Sequence, residues 1–149
     1  MFIKTRKNCF RMRFFLAISC LLFVTSCSKR MEIRVKAHEN LNQGYPVVLR
    51  VYQLKNDTNF QHATIQSFWL NDRQVLGEEL VDKKEYSLQP GQFIKFKVKI
   101  EDETKFIGAC ADFNQPDMDG WRGIQSLASL KGKEVWIVCG ENKLQIVER

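Results

Sequence analysis

Cys27 carries the side chain with the clearest chemical context in this sequence of 149 residues. A cysteine thiolate is a nucleophile that can be modified covalently. The chain before it has a tip with five basic and no acidic residues, followed by an apolar run from Phe14 to Val24. This layout is typical of a secretory signal peptide, and about 11 apolar residues are too few to span a bilayer, which needs roughly 20. We therefore predict a removed signal peptide over residues 1–26 rather than a transmembrane helix.

The four residues that end at Cys27 extend this prediction. Val24-Thr25-Ser26-Cys27 resembles the lipobox of bacterial lipoproteins, in which a peptidase cuts before the cysteine and the cysteine then carries a diacylglyceryl thioether and an N-acyl chain. A second partial match ends at Cys20, but it leaves an apolar core of about five residues, below the roughly 7–15 expected. The resemblance implies lipidation at Cys27, with an ordinary signal peptide as the alternative. Ser28 directly after the cysteine implies the outer membrane.

Most of the excess of basic over acidic residues in the whole chain comes from the predicted signal peptide. The sequence has 23 Lys and Arg against 17 Asp and Glu, and five of the basic residues lie before position 27. The mature chain would therefore have 18 basic and 17 acidic residues, and its charge is close to neutral. Net charge gives no argument for a nucleic-acid partner.

After cleavage the chain is long enough for one domain, predicted over residues 33–149, with residues 27–32 as an acylated tether. Five extended residues reach only about 17 Å. The folded body should therefore lie close to the membrane, with Lys29, Arg30 and Arg34 near the lipid head groups.

Alternating apolar and polar residues predict that strands dominate this domain. The clearest strand has Ile94, Phe96, Val98 and Ile100 on one face and three lysines on the other. The predicted strands are residues 33–37, 47–54, 94–100, 106–111, 134–139 and 143–147. A helical period is found only over residues 59–70, where the aromatic residues should pack on a sheet. About seven or eight short strands with one helical addition predict an all-β, antiparallel β-sandwich.

Other residues with potential chemistry form no catalytic pattern. Cys110 and Cys139 would reach an oxidising compartment, where they could form a disulfide bond or remain two buried thiols. His38 and His62 are far apart in sequence, and the spacing of Asp112, Asp117 and Asp119 does not match a calcium loop. We therefore predict no enzyme activity, no cofactor and no metal site.

A set of residues in the mature chain occurs in an order that resembles one protein family. These residues are Tyr52-Gln53-Leu54, Phe60, Phe68, Leu70, Leu76-Gly77, Pro90-Gly91, Phe106-Ile107-Gly108, Phe113 and Trp121-Arg122. Together with the lipobox, they resemble the TssJ (SciN) family, the outer-membrane lipoproteins of the bacterial type VI secretion system. The likeness extends from about Ile33 to Val147. It departs at residues 112–116 and at Cys110, which leaves open what Trp121 and Arg122 contact.

The resemblance implies a transthyretin-like sandwich that faces the periplasm and binds the periplasmic domain of TssM, an inner-membrane protein of the same apparatus. The polar, mobile-looking loop between the first two predicted strands is the expected partner surface. Its residues are His38, Glu39, Asn40, Leu41, Asn42, Gln43, Gly44 and Tyr45. Trp121 and Arg122 are residue types that are common at binding hot spots, although a pair stacked inside one domain is an equal alternative.

Two other functions remain as alternatives to this one. The first is an outer-membrane lipoprotein that binds the cell wall or a small ligand. The second is an enzyme, because transthyretin-like sandwiches include a purine-pathway hydrolase. That hydrolase requires a cluster of His and Arg and a Tyr-Arg-Gly-Ser end, whereas this chain has two separate histidines and ends in Gln145-Ile146-Val147-Glu148-Arg149.

Overall fold

The computed structural model describes residues 29–149, so the predicted signal peptide and Cys27 lie outside the described residues. The strands are β1 (Arg30–Ala37), β2 (Val47–Leu54), β3 (Leu80–Leu88), β4 (Phe93–Lys99), β5 (Phe106–Ala111), β6 (Arg122–Ser126), β7 (Val135–Cys139) and β8 (Leu144–Glu148). The helices are α1 (Thr58–His62) and α2 (Ile65–Leu76), with short 3-10 turns at Leu41–Gly44 and Gly77–Glu79. Within residues 29–149, no helix has the length and apolar character needed to cross a membrane.

The eight strands form two sheets of four, with the orders β4-β1-β7-β8 and β3-β2-β5-β6. The sheets share one core of buried side chains, which confirms the predicted mostly-β sandwich with a small helical part. One strand pair departs from the antiparallel prediction, because β1 and β7 are parallel, with Ile33 opposite Val135. Between these two strands the chain forms β2 and β3 of the second sheet, β4 of the first sheet, and then β5 and β6 of the second sheet. Only strands that are joined by a hairpin must run antiparallel.

β1 shows how the alternating pattern produces the core. Ile33 and Val35 are completely buried, whereas the side chain of Lys36 faces solvent. The strand begins at Arg30, three residues before the predicted start, because Arg30 pairs with Lys99 of β4. Residues 30–32, which were assigned to the tether, therefore belong to the sheet.

β2 shows little alternation because its second half, from Val51 to Leu54, is buried on both faces. One face lies in the core between the sheets, and the other is covered by α1 and α2. On the helical side, the ring of Tyr52 lies 5.7 Å from that of Phe60 and 5.4 Å from that of Phe68. These contacts confirm that the aromatic residues of the helical segment pack on a sheet.

The helical segment differs from the predicted single element over residues 59–70. The chain is extended at Ala63, and Thr64 caps a second helix by accepting a hydrogen bond from the Ser67 N–H. That helix continues to Leu76 in spite of a non-helical backbone at Asn71, and Leu76 is completely buried. Burial of Leu76 explains why the helix extends past the last strongly periodic residue.

Two strands, β3 and β6, were not predicted. β3 is a partly exposed edge strand rich in charged residues, and β6 has only five residues, so neither shows a clear apolar alternation. Gly108 of β5 leaves space for α1, because a Cβ atom at this position would lie 3.1 Å from the ring of Phe60.

Candidate functional site

The loop between β1 and β2 (residues 38–46, here the β1–β2 loop) lies at one end of the sandwich and is held by two neighbouring turns. The carbonyl of His38 accepts a hydrogen bond from the Gly91 N–H at 3.0 Å, in the β3–β4 turn. The Asn42 N–H donates to the carbonyl of Glu141 at 2.9 Å, in the β7–β8 turn. The loop was expected to be mobile, but these bonds give it a defined position.

Asn42 is the centre of this arrangement. Its amide nitrogen donates to the carbonyl of Pro46 at 3.4 Å, and its amide oxygen accepts from the Asn114 N–H at 2.8 Å. The side chain is only 3% exposed. A buried amide with all these partners connects the loop to the segment between β5 and β6, and few other side chains could supply both a donor and an acceptor here.

The backbone of the loop is constrained as well. Asn42, Gln43 and Gly44 have φ angles of 46°, 59° and 90°, three consecutive residues in the left-handed region. Asn and Gly adopt this region readily, whereas Gln does so at a cost. Strained backbone of this kind persists where surrounding contacts hold it, and it is common at binding sites.

The structure corrects part of the predicted partner surface. Leu41 and Asn42 are buried, so these two residues support the loop and cannot contact a partner. The six remaining predicted residues are exposed: His38, Glu39, Asn40, Gln43, Gly44 and Tyr45. Tyr45 is 62% exposed and is the only large apolar side chain among them. The candidate site is therefore this set of six residues, here called the loop surface.

Replacing Asn42 with alanine is expected to lower the free energy of unfolding by about 1–3 kcal/mol, because buried hydrogen-bonding groups lose their partners and alanine disfavours positive φ. Chemical denaturation of the mature domain would measure this change. Gln43→Gly is the matched control, because glycine at the neighbouring exposed position relieves strain and should leave stability unchanged or slightly higher. Equal stability of Asn42→Ala and the wild type would contradict the assigned role.

A second polar group, which the sequence did not reveal, joins α2 to the second sheet. The carboxylate of Asp72 accepts hydrogen bonds from the Tyr52 hydroxyl and the Lys83 amine, both at 2.9 Å, and Arg50 lies 3.4 Å away. Asp72 is spaced four residues from both Phe68 and Leu76, so it stands on the apolar face of α2. A charged residue on the apolar face of a helix was the feature of the sequence that could have indicated a buried polar group.

The protonation states of this group follow from its surroundings. Burial would raise the pKa of Asp72, but the hydrogen bonds from Lys83 and Tyr52 and the positive charges of Lys83 and Arg50 outweigh it and lower the pKa. Burial, together with the nearby Cys110 and Asp72, raises the pKa of Tyr52 strongly, so its hydroxyl remains a donor. The group therefore acts as an internal connection between helix and sheet.

The structure also shows what Trp121 and Arg122 contact. Arg122 donates to the carbonyls of Phe60 and Ala63, at 2.7 and 2.8 Å, at the C-terminal end of α1. Its guanidinium lies 4.8 Å from the Trp121 ring, which in turn packs on Phe68. Cations commonly satisfy the free carbonyls at a helix end. Of the two alternatives, the structure thus shows the pair stacked inside the domain.

The two cysteines of the domain are buried free thiols, so the disulfide considered from the sequence is not formed. Cys110 lies on β5 and Cys139 on β7, in different sheets. The sulfur of Cys110 is 3.7 Å from the Tyr52 hydroxyl oxygen. Burial raises the pKa of each thiol to about 12, which makes both poor nucleophiles.

We expect an alkylating reagent to label neither Cys110 nor Cys139 in the folded protein at neutral pH, because both thiols are protonated and shielded. In denaturant without a reductant, both should be labelled completely. Peptide mass spectrometry after each treatment measures the outcome. Failure to label the pair in denaturant until a reductant is added would instead demonstrate a disulfide bond.

The remaining predicted polar residues lie apart from one another. His38 and His62 are both exposed, Asp112 accepts a hydrogen bond from the Val48 N–H, and Asp119 pairs with Arg122. In the described part of the chain, no group of three or more potential metal ligands is present. These residues therefore do not come together in one site, and the loop surface remains the candidate functional site.

Comparisons with known proteins agree with the family resemblance found in the sequence. The family model for type VI secretion lipoproteins, which names VasD, EvfM and TssJ, matches residues 29–146. No protein with a curated description matches the chain. The T6SS lipoprotein TssJ1 from Pseudomonas aeruginosa is similar in structure, with 29% identity, a TM-score of 0.75, and coverage of 82% of this chain and 97% of that one.

Two further solved structures contain similar chains. Lip from Serratia marcescens, a membrane-bound component of the type VI secretion system, is 26% identical with a TM-score of 0.70 over 82% of this chain and 98% of its own. A chain in the structure described as the T6SS protein TssM C-terminal domain from EAEC is also 26% identical, with a TM-score of 0.70 over 80% and 98% of the two chains.

Proposed function

The chain belongs to the TssJ family of type VI secretion lipoproteins, and on this basis we propose that it anchors the type VI secretion membrane complex to the outer membrane by binding the periplasmic domain of TssM. The role is mechanical, with no catalytic step. Lipid chains at one end would hold the protein in the membrane, and the loop surface at the other end would hold the complex. The similar chain in a structure of the TssM C-terminal domain supports this choice of partner.

The proposed anchor is the acylated Cys27. A single acyl chain binds a membrane only marginally, whereas each buried CH2 adds roughly 0.8 kcal/mol, so several chains together bind firmly. Because β1 begins at Arg30, only Ser28 and Lys29 separate Cys27 from the folded domain. The three residue steps from Cys27 to Arg30 span at most about 11 Å. The body would therefore lie even closer to the membrane than the sequence suggested.

The main structural support for binding of TssM by the loop surface is the position of this surface relative to Cys27, the proposed anchor. β1 has eight residues, and at about 3.3 Å per residue it is roughly 26 Å long. The chain enters from Cys27 at one end of this strand, and the β1–β2 loop leaves from the other. An inner strand of the first sheet thus links the proposed membrane attachment directly to an ordered, exposed loop at its other end.

The loop surface has the features of a small recognition site. Its hydrogen bonds and left-handed backbone give it a fixed shape, which lowers the entropy lost on binding. Tyr45 supplies an exposed aromatic ring, a residue type that is enriched at the centres of protein interfaces. The polar residues Asn40 and Gln43 precede it in the chain and are exposed, as in the rim of an interface.

Replacing Tyr45 with alanine is expected to weaken binding to the TssM periplasmic domain by about 30-fold, the effect of losing a hot spot of roughly 2 kcal/mol. Isothermal titration calorimetry with the mature domain and the TssM domain of the same organism measures it. Leu70→Ala is the matched control, because Leu70 is 80% exposed on α2, far from the loop in sequence, and should leave affinity unchanged. Equal affinities of Tyr45→Ala and the wild type would remove Tyr45 from the interface.

The function as a whole is tested by recovering the tagged full chain from membranes under mild detergent. We expect TssM to be recovered with it. Recovery without any component of the secretion system would reject the proposal and favour a lipoprotein that binds the cell wall or a small ligand.

A further inference from the structure

An open groove lies between the two sheets at the end of the sandwich where β1 begins. It has a volume of about 840 Å3, within the roughly 300–1,000 Å3 typical of ligand pockets. Its lining is mostly apolar and includes Met31 of β1, Ile100 after β4 and Phe106 of β5, together with Leu127 and Leu130 of the β6–β7 connection. The groove is at the opposite end of β1 from the loop surface.

The apolar lining of the groove is a surface that an apolar ligand could cover. Within the sandwich, the core residues of the two sheets cover one another, but at this end the facing side chains leave an open space. Apolar surface that remains in water is unfavourable, and a contiguous exposed patch commonly marks a binding site. The long connection between β6 and β7 forms one wall, and Leu130 is inserted from it into the core.

The edge of the groove is positively charged. Lys29, Arg30, Lys105 and Lys131 line it and are exposed, and none of the four forms a salt bridge within residues 29–149. Arg34 also lines the groove but is paired with Glu134 and Glu32. Four basic side chains without acidic partners fit an environment of anionic lipid head groups.

The N-terminal end of the mature polypeptide lies beside this groove and carries a possible apolar ligand. Lys29 lines the groove and lies two residues after Cys27, so the two Cα atoms are at most about 7 Å apart. We propose that one of the acyl chains attached to Cys27 folds back into this groove. The proposal rests on the lipidation of Cys27 that the proposed function includes. A linear hydrocarbon tethered at the entrance matches both the apolar lining and the location.

The arrangement would fix the orientation of the protein on the membrane. Of three acyl chains, two would remain for the bilayer, which is enough for stable anchoring. The chain inside the groove would hold this end of the sandwich against the membrane, while the basic edge contacts lipid phosphates. The loop surface, at the far end of β1, would then face away from the membrane.

Photo-crosslinking tests this proposal on the full chain in its native membrane. Cells are fed a fatty acid with a diazirine near its end, so that it enters the acyl chains of Cys27, and the purified protein is analysed by mass spectrometry after illumination. We expect crosslinks within the protein to peptides that contain Phe106 and residues 126–134. Intact mass measured on the same sample shows whether Cys27 is acylated.

Two tryptophan variants provide the matched comparison. Ala128 is exposed and lines the groove, so a tryptophan there would occupy part of it. Ala128→Trp should reduce the crosslinks within the protein by about tenfold, since a filled cavity excludes further groups. Ser87→Trp, at an exposed position of β3 outside the groove, should leave them unchanged. Leu127→Lys repeats the test with a charge, and circular dichroism checks that each variant is folded.

The outcomes separate this inference from the proposed function. An acylated protein whose crosslinks go only to membrane lipids, or are spread over its surface, would overturn the inference and leave the lipid anchor intact. Groove crosslinks that persist at full yield in folded Ala128→Trp and Leu127→Lys would also overturn it. A protein without acyl mass at Cys27 would overturn both proposals.

Discussion

Replacing Cys27 with serine is expected to move the protein from the membrane fraction to the soluble fraction almost completely. A serine hydroxyl cannot form the thioether through which the diacylglyceryl group is attached, and no helix within residues 29–149 is long and apolar enough to cross the membrane instead. With several acyl chains, each contributing roughly 0.8 kcal/mol per buried CH2, loss of the chains removes the entire attachment energy. Assembly of a secretion complex at the outer membrane should be lost with it.

The measurement is density-gradient separation of inner and outer membranes from soluble protein, with intact mass to detect the acyl groups. Cys20→Ser is the matched control, because Cys20 ends the weaker lipobox match within the same predicted leader. This variant should remain in the outer membrane. A Cys27→Ser protein that stays in the membrane, or a Cys20→Ser protein that leaves it, would place the anchor elsewhere.

Replacing Asp72 with alanine is expected to reduce the free energy of unfolding by about 3–5 kcal/mol, the typical cost of removing one partner from a buried ion pair. Lys83 and Arg50 would keep their charges close to the sheet with only Glu85 as a partner, and the Tyr52 hydroxyl would lose its acceptor. The helical layer would separate from the second sheet more easily. Chemical denaturation, followed by tryptophan fluorescence, measures this loss.

The matched control is Glu103→Ala, which removes an exposed ion pair with Lys55 and should give no measurable change. The pH dependence supplies a second check. Because the pKa of Asp72 is lowered in the folded state, its stabilising contribution is complete above the unfolded pKa of about 3.9 and is lost as pH falls through the lower folded value. The difference in stability between wild type and Asp72→Asn should therefore shrink in this acidic range. A constant difference down to acid unfolding would show that the charge of Asp72 is not involved.

The alternation of apolar residues was sufficient for most of the fold. Strands β1, β2, β4, β5, β7 and β8 were predicted to within a few residues. β1 and β4 show the period of two that one buried face produces, whereas β2 and β5 are recognisable as short, continuous apolar runs. β3 and β6 escaped prediction because an edge strand and a short strand have too few buried positions to show a period. The parallel pairing of β1 with β7 depends on contacts between residues about 100 positions apart, which no local pattern contains.

The candidate site, like the fold, was predicted only in part from the sequence. The composition of residues 38–45 suggested a polar loop, but only the structure shows that Leu41 and Asn42 are buried supports and that six residues form the exposed surface. The partners of Asn42 come from turns more than 70 positions away, Asn114 and Glu141. The sequence could not show that these turns meet at one end of the sandwich.

The sequence by itself determined the mostly-β character and the family likeness, and it is the basis for the predicted leader and for the cysteine that we propose as the anchor. Each of these depends on local composition or on the order of residues along the chain. Only the tertiary structure decided that the cysteines remain separate, that Arg122 holds the end of a helix, and that an apolar groove opens beside the start of β1. These features arise where distant segments pack together, and their free energies depend on burial and distance, which exist only once the two sheets are assembled.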